Sequence, residues 1–145
     1  MEIQALRVLV TEQDLNELIR RYAPPDQPVE DLQVRLSTEG IHITGQYPFF
    51  ISVKFETVWE VGVVNGLAAV RLAKFKAMGV PGNIFKSAIM KVIEDAARKE
   101  SWVRVSGDQV LADLEVACAK YAVPAKLRLK AITARPGELV VEAGA

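Results

Sequence analysis

Between Val29 and Phe75 apolar and polar residues alternate with a period of two, interrupted at Thr38-Glu39-Gly40, Gln46-Tyr47-Pro48 and Asn65-Gly66. Alternation marks strands with one buried face, and the interruptions carry turn-forming residues, so this stretch predicts a meander of four antiparallel strands. In the third strand Ile51, Val53, Phe55, Thr57, Trp59 and Val61 share one side, and Ser52, Lys54, Glu56 and Glu60 share the other. Asn65-Gly66 is the clearest hairpin signal, because both residues tolerate the positive φ of a type I′ turn.

The period lengthens on either side of the meander. After a predicted strand over Glu2 to Val10, Thr11-Glu12-Gln13-Asp14 has the form of a capping box with Asp in place of Glu. Val10 and Leu15 occupy the positions of a hydrophobic staple, and Leu15, Leu18, Ile19 and Tyr22 recur at helical spacing until Pro24-Pro25 stops the helix. Past Met78-Gly79-Val80-Pro81-Gly82-Asn83, the stretch Ile84 to Lys99 lacks Gly and Pro and predicts a long helix. Its apolar positions pair every four residues: Ile84 with Phe85, Ala88 with Ile89, Val92 with Ile93, Ala96 with Ala97. That stripe is broader than a coiled-coil seam and suits a concave surface. A short strand over Trp102 to Val105, a turn at Gly107-Asp108 and a third helix over Asp113 to Tyr121 follow; Gln109 to Leu111 fits strand or first helical turn. Leu127 to Thr133 and Leu139 to Ala143 flank a type II turn at Arg135-Pro136-Gly137-Glu138, so the chain ends in a hairpin.

The chain has 145 residues, half of them apolar, and 18 basic side chains balance 18 acidic ones. This composition excludes disorder and a polybasic nucleic-acid binder, and the length suits a single domain with its own core. Met1 to Thr11 has neither the basic start nor the apolar run of a secretory signal, and no window approaches a membrane span, which makes a cytoplasmic setting the expectation. Charge is unevenly placed. Residues 1–66 hold five bases and ten acids, residues 67–104 hold eight and three, and residues 105–145 hold five of each. The basic tract Arg71, Lys74, Lys76, Lys86, Lys91, Arg98, Lys99 and Arg104 reads either as a surface for transient contact with an anionic membrane or as the counterpart of the acidic hairpins.

Chemistry-bearing motifs are scarce. One Cys permits no internal disulfide, and one Cys with one His cannot build a His/Cys metal site, which leaves only carboxylate-assisted sites open; no phosphate-binding loop is present, and the expectation is no metal or cofactor. His42, between Ile41 and Ile43, should point outward, with no Ser or Cys motif nearby in sequence; Cys118, inside a helical segment, reads as a buried small apolar residue. The expectation is a non-enzyme. Aromatic residues, by contrast, concentrate between positions 47 and 102 as Tyr47, Phe49, Phe50, Phe55, Trp59, Phe75, Phe85 and Trp102. A broad helical stripe against a curved sheet leaves a groove that takes apolar ligands.

The order of several short motifs resembles the LmeA-like phospholipid-binding family of the tubular lipid-binding (TULIP) superfamily. They are Thr11-Glu12-Gln13-Asp14-Leu15-Asn16, Val34 to Leu36 leading through Gly40 to Ile43-Thr44-Gly45, Asn65-Gly66-Leu67, Val80-Pro81-Gly82, and Pro136-Gly137-Glu138-Leu139-Val140-Val141. The resemblance spans most of the chain, rests on fold markers, and includes no catalytic signature. It implies an α+β domain in which a strongly curved antiparallel sheet wraps a long helix, with two shorter helices, and cradles lipid.

The expected function is non-catalytic binding, with transfer as an extension, of a lipid or fatty-acyl ligand. Val53, Phe55 and Trp59 of the sheet and Phe85, Ile89, Val92 and Ile93 of the helix are the expected lining. The first rival is a homodimeric interaction module whose apolar stripe is covered by a partner. The second is a hot-dog-type acyl thioesterase, for which Asn83 and Lys86 at the helix start are the only support.

Overall fold

Strand β1 (Ala5–Thr11) runs directly into helix α1 (Glu12–Tyr22), and the junction is the capping box. The Asp14 N–H donates to Thr11 Oγ1 at 3.1 Å while Asp14 Oδ2 accepts the Thr11 N–H at 2.9 Å, so Asp replaces the usual Glu without loss of reciprocity. Val10 and Leu15 both pack on the cluster formed by Val34, Leu36 and Leu139. The computed structural model describes Glu2 and residues 4–22, 29–48, 51–120 and 126–144; the Pro24-Pro25 helix stop, Phe49, Phe50 and Tyr121 lie outside them.

The meander comprises β2 (Glu30–Ser37), β3 (Gly40–Pro48), β4 (Ser52–Val64) and β5 (Leu67–Ala77). Asn65 (φ 49°) and Gly66 (φ 78°) take the two positive angles of a type I′ turn. One predicted turn is displaced. Tyr47 pairs with Val53 and Pro48 with Ser52, so β3 continues through Gln46-Tyr47-Pro48, and Pro48, which cannot donate to a ladder, closes the strand.

Helix α2 (Gly82–Ala97) starts two residues before the predicted Ile84 and ends two before Lys99. Pro81 is its N-cap and no side chain caps it; Asn83 is exposed in the first turn. Strands β6 (Val103–Ser106) and β7 (Gln109–Ala112) form a hairpin about Gly107, which settles Gln109 to Leu111 as strand. Helix α3 (Leu114–Lys120) is capped by Asp113, whose Oδ1 accepts the N–H groups of Glu115 and Val116 at 3.1 and 3.3 Å. Strands β8 (Arg128–Arg135) and β9 (Glu138–Gly144) enclose Pro136-Gly137, with Gly137 at φ 78° as a type II turn requires.

The result is an α+β architecture with antiparallel sheets and three helices. The strands divide into a six-stranded sheet, β2-β3-β4-β5-β7-β6, and a three-stranded sheet, β1-β9-β8. Strands expected in a single sheet thus lie in two, because the two ends of the chain pair with each other, Ala5 opposite Gly144 through Thr11 opposite Glu138. The register sets Ile41, Ile43 and Gly45 opposite Trp59, Thr57 and Phe55, giving the large sheet one apolar inner face. Two covers share that face. Helix α2 lies over Phe55, Leu72 and Phe75, while α1 and the β8–β9 hairpin close over Val34, Leu36, Ile41 and Val61. Among the described residues no helix is long and apolar enough to cross a membrane.

Candidate functional site: the seam beneath helix α2

The floor of the seam comes from the inward parity of β4 and β5. Phe55, Trp59 and Leu72 are buried and touch Phe85, Ile89 and Met90 of α2; Phe75 flanks them. Phe85, 1% exposed, is the keystone: its ring centroid lies 5.4 Å from that of Phe55 and 6.5 Å from that of Phe75, both tilted as aromatic quadrupoles prefer. Among these apolar groups Thr57 is a buried polar residue with both hydrogen-bonding capacities used. Its Oγ1 donates to the Ile43 carbonyl at 2.9 Å and accepts the Trp59 indole N–H at 2.9 Å, so the indole reaches the core without an unmet donor.

Of the predicted lining residues, the structure brings Phe55, Trp59, Phe85 and Ile89 into this one cluster, with Ile93 half-buried against it. Val53 is buried on the same strand face opposite Tyr47, and Val92 is half-buried outside the cluster. The helical stripe is rotated from its predicted position. Ile84 is exposed, whereas Met90, absent from the predicted pairs, is buried. Met90 stands three residues before Ile93, on the flank of the inner face far from Phe85, and that i, i+3 spacing was available as a signal.

The seam is filled by the protein's own side chains in this conformation. Gly45 and Gly82 make the closure possible: a Cβ at Gly45 would stand 2.9 Å from the Phe55 ring, and one at Gly82 would stand 3.0 Å from the Phe75 ring. Among the described residues, open grooves lie between α1 and β2, between α2 and β6, and beside the β2–β3 turn, and these three have no predicted residue in their lining. The first of them, about 740 Å³, passes Gln13, Asn16, Arg20 and Asp31.

The other candidate groups are placed as follows. His42 faces away from the core between Arg35 and Ser37, and its Nε2 lies 2.6 Å from Ser37 Oγ. That contact looks like a nucleophile and its base, and the sequence reading missed it because the two meet only across the β2–β3 turn. Its polarity is reversed. Arg35 Nη2, 3.3 Å from Nδ1, can only donate, so in this arrangement Nδ1 accepts and Nε2 is the donor toward Ser37, whose Oγ also accepts the Glu39 N–H. The group ties the β2–β3 turn together. Cys118 is half-buried, less enclosed than predicted. Lys86 Nζ stands 5.9 Å from the Phe75 ring centroid. Within the basic tract, Arg71 pairs with Glu60 at 2.6 Å and Lys74 with Glu39 at 3.3 Å, joining it to the acidic hairpins. Glu60 holds the Arg71 guanidinium above its ordinary pKa, first by hydrogen bond and then by charge. Among the described residues no group of three His, Cys, Asp or Glu side chains is placed to hold a metal ion.

No protein-family model, no curated protein and no solved structure matches this chain.

Proposed function

We propose that the protein binds a long apolar ligand, a lipid or fatty-acyl chain by class, between α2 and the inner face of the six-stranded sheet, without catalysis. The observation that carries this reading is how α2 is held. Among the described residues no side-chain hydrogen bond or ion pair ties α2 to either sheet, and its start has no side-chain cap. Apolar contact and the Lys86–Phe75 approach are what fix it. Ile51, Met78 and Ile84 are 75%, 66% and 50% exposed; Met78 lies four residues before α2 and Ile84 in its first turn. In this reading the sheet and α2 form a cradle of the kind found in the tubular lipid-binding proteins that the sequence resembles, with the structure as its closed form.

The energetics set a condition. An acyl chain of about 16 carbons carries roughly 12 kcal/mol of gross burial, against about 8 kcal/mol for micromolar affinity. Within the seam the ligand replaces contacts that the protein already makes, so the net gain must come from chain length and from covering exposed apolar side chains. Binding therefore requires α2 to move outward, and short ligands should not bind. Native mass spectrometry after gentle isolation, with a fluorescent fatty acid as probe, tests this. Recovered acyl lipid or saturable micromolar binding is expected; an empty protein that also ignores the probe overturns the proposal.

A further inference from the structure

We infer that the end of the molecule where α2 begins docks on an anionic membrane surface. The inference does not require the seam beneath α2 to open, so it stands or falls apart from the ligand proposal. It comes from dividing the basic tract of the sequence by what the fold pairs it with.

Part of the tract is neutralised within the chain. Arg71 pairs with Glu60, Lys74 with Glu39 and Arg98 with Asp95. Lys76 and Lys86 have no acidic partner within ion-pair distance among the described residues, and neither does Lys54, which lies outside the tract. From Gly82 to Ile93, α2 carries Lys86 and Lys91 and no acid; Glu94 and Asp95 follow only near its end. The acids that share the sheet register with these lysines are Glu56, opposite Lys76, and Glu30, opposite Gln46 and two strands from Lys54. The cations therefore keep an excess at this end.

Exposed apolar residues gather at the same end. The Lys54 carbonyl accepts the Met78 N–H at 3.2 Å, next to the Phe55–Ala77 pair, so the start of β4 and the exit from β5 coincide. The Phe85 ring stands 5.4 Å from that of Phe55, which sets the first turn of α2 over that pair. Ile51 just before β4, Met78 just after β5 and Ile84 beside Phe85 are each half or more exposed. Three apolar tips on separate elements do not make the flat, packed core of a protein–protein contact. They suit a fluid interface, which each tip enters on its own while the lysine stems reach back to the head groups. Charge selects the membrane: near an anionic leaflet each lysine strengthens binding about fivefold, a gain that a zwitterionic leaflet does not offer.

Cosedimentation of the whole chain with vesicles of phosphatidylcholine mixed with phosphatidylserine should show binding that pure phosphatidylcholine vesicles lack and that added salt weakens. Lys54→Gln and Lys76→Gln should each reduce it about fivefold, and Lys99→Gln, at the far end of α2, should leave it within about twofold. Met78→Ser should reduce it without changing its salt dependence. Hydrogen exchange on the wild-type chain locates the contact without any variant: the phosphatidylserine vesicles should slow exchange in residues 51–54 and 78–86 and leave residues 98–106 unchanged. An absence of vesicle binding, which would leave these lysines to an acidic protein, overturns the inference. Equal binding to pure phosphatidylcholine, or protection confined to residues 98–106, does the same.

Discussion

The two covers of the large sheet's inner face are fastened by different physics. Helix α1 and the β8–β9 hairpin are tied to β2 by directional bonds: Asn16 to both backbone groups of Val34, Glu12 to the Leu36 N–H, and the Gly137 N–H to the Leu36 carbonyl. Helix α2 rests on shape, its aromatic and aliphatic side chains fitted to Phe55, Trp59, Leu72 and Phe75. Hydrogen bonds fix position and angle, whereas apolar contact is nearly indifferent to which apolar surface supplies it. One cover is therefore bonded into the scaffold and the other is held by shape, which is the physical basis of the proposal that a ligand sits under α2.

Removing the keystone should have the largest effect. Phe85→Ala takes away the side chain that both aromatic neighbours touch and should destabilise the fold by about 3–5 kcal/mol in urea unfolding. If a fatty-acyl ligand occupies the seam, its addition should recover part of that loss. Thr57→Val keeps the shape but leaves the Trp59 indole N–H buried without an acceptor, at a cost of about 1–3 kcal/mol in the same measurement. Asn16→Ala, on the scaffold side, should cost about 1–2 kcal/mol and speed hydrogen exchange at Val34 while leaving α2 unchanged. Equal acceleration at α2 would show that the two covers are not separate.

The smallest effect expected is electrostatic. The hydrogen bond from Lys120 holds the Glu100 carboxyl below its ordinary pKa, against a smaller opposing effect of burial. A carboxylate lowered in the folded state contributes stability above its unfolded pKa, and that contribution fades as pH falls through the lowered folded value. The stability difference between wild type and Lys120→Met should thus be flat near neutral pH and shrink in the carboxylate range. A carbon-detected titration should show the Glu100 carboxyl moving up in the variant.

Much of this architecture is encoded locally. The capping box at Thr11, the Asn65-Gly66 reversal and the Pro136-Gly137 turn are each fixed by a few neighbouring residues, and all three form where the pattern predicts. What the pattern lacks is long-range pairing. Alternation in Leu139 to Ala143 says which side chains share a face, but not that the strand's partner is β1 at the other end of the chain, and so it could not show that there are two sheets. The same holds for the seam. Parity and helical spacing identified Phe55, Trp59, Phe85 and Ile89, whereas whether they interlock depends on volumes meeting across elements. Gly45 inside a strand and Gly82 at the helix start were the local traces of that fit, each where an aromatic ring needs the space of a missing Cβ.

Trp59 sits in the floor of the seam, and a second indole, Trp102, is half-buried outside it, so Trp102→Phe leaves one reporter where the ligand is proposed to enter. Titrating a long-chain fatty acid into that variant while following Trp59 emission measures directly whether the seam exchanges its own side chains for a guest. A saturable spectral change with a micromolar midpoint, lost when the chain is shortened, is the predicted result. An emission spectrum that stays constant to the solubility limit of the fatty acid, with α2 exchanging hydrogen at the ligand-free rate, contradicts it.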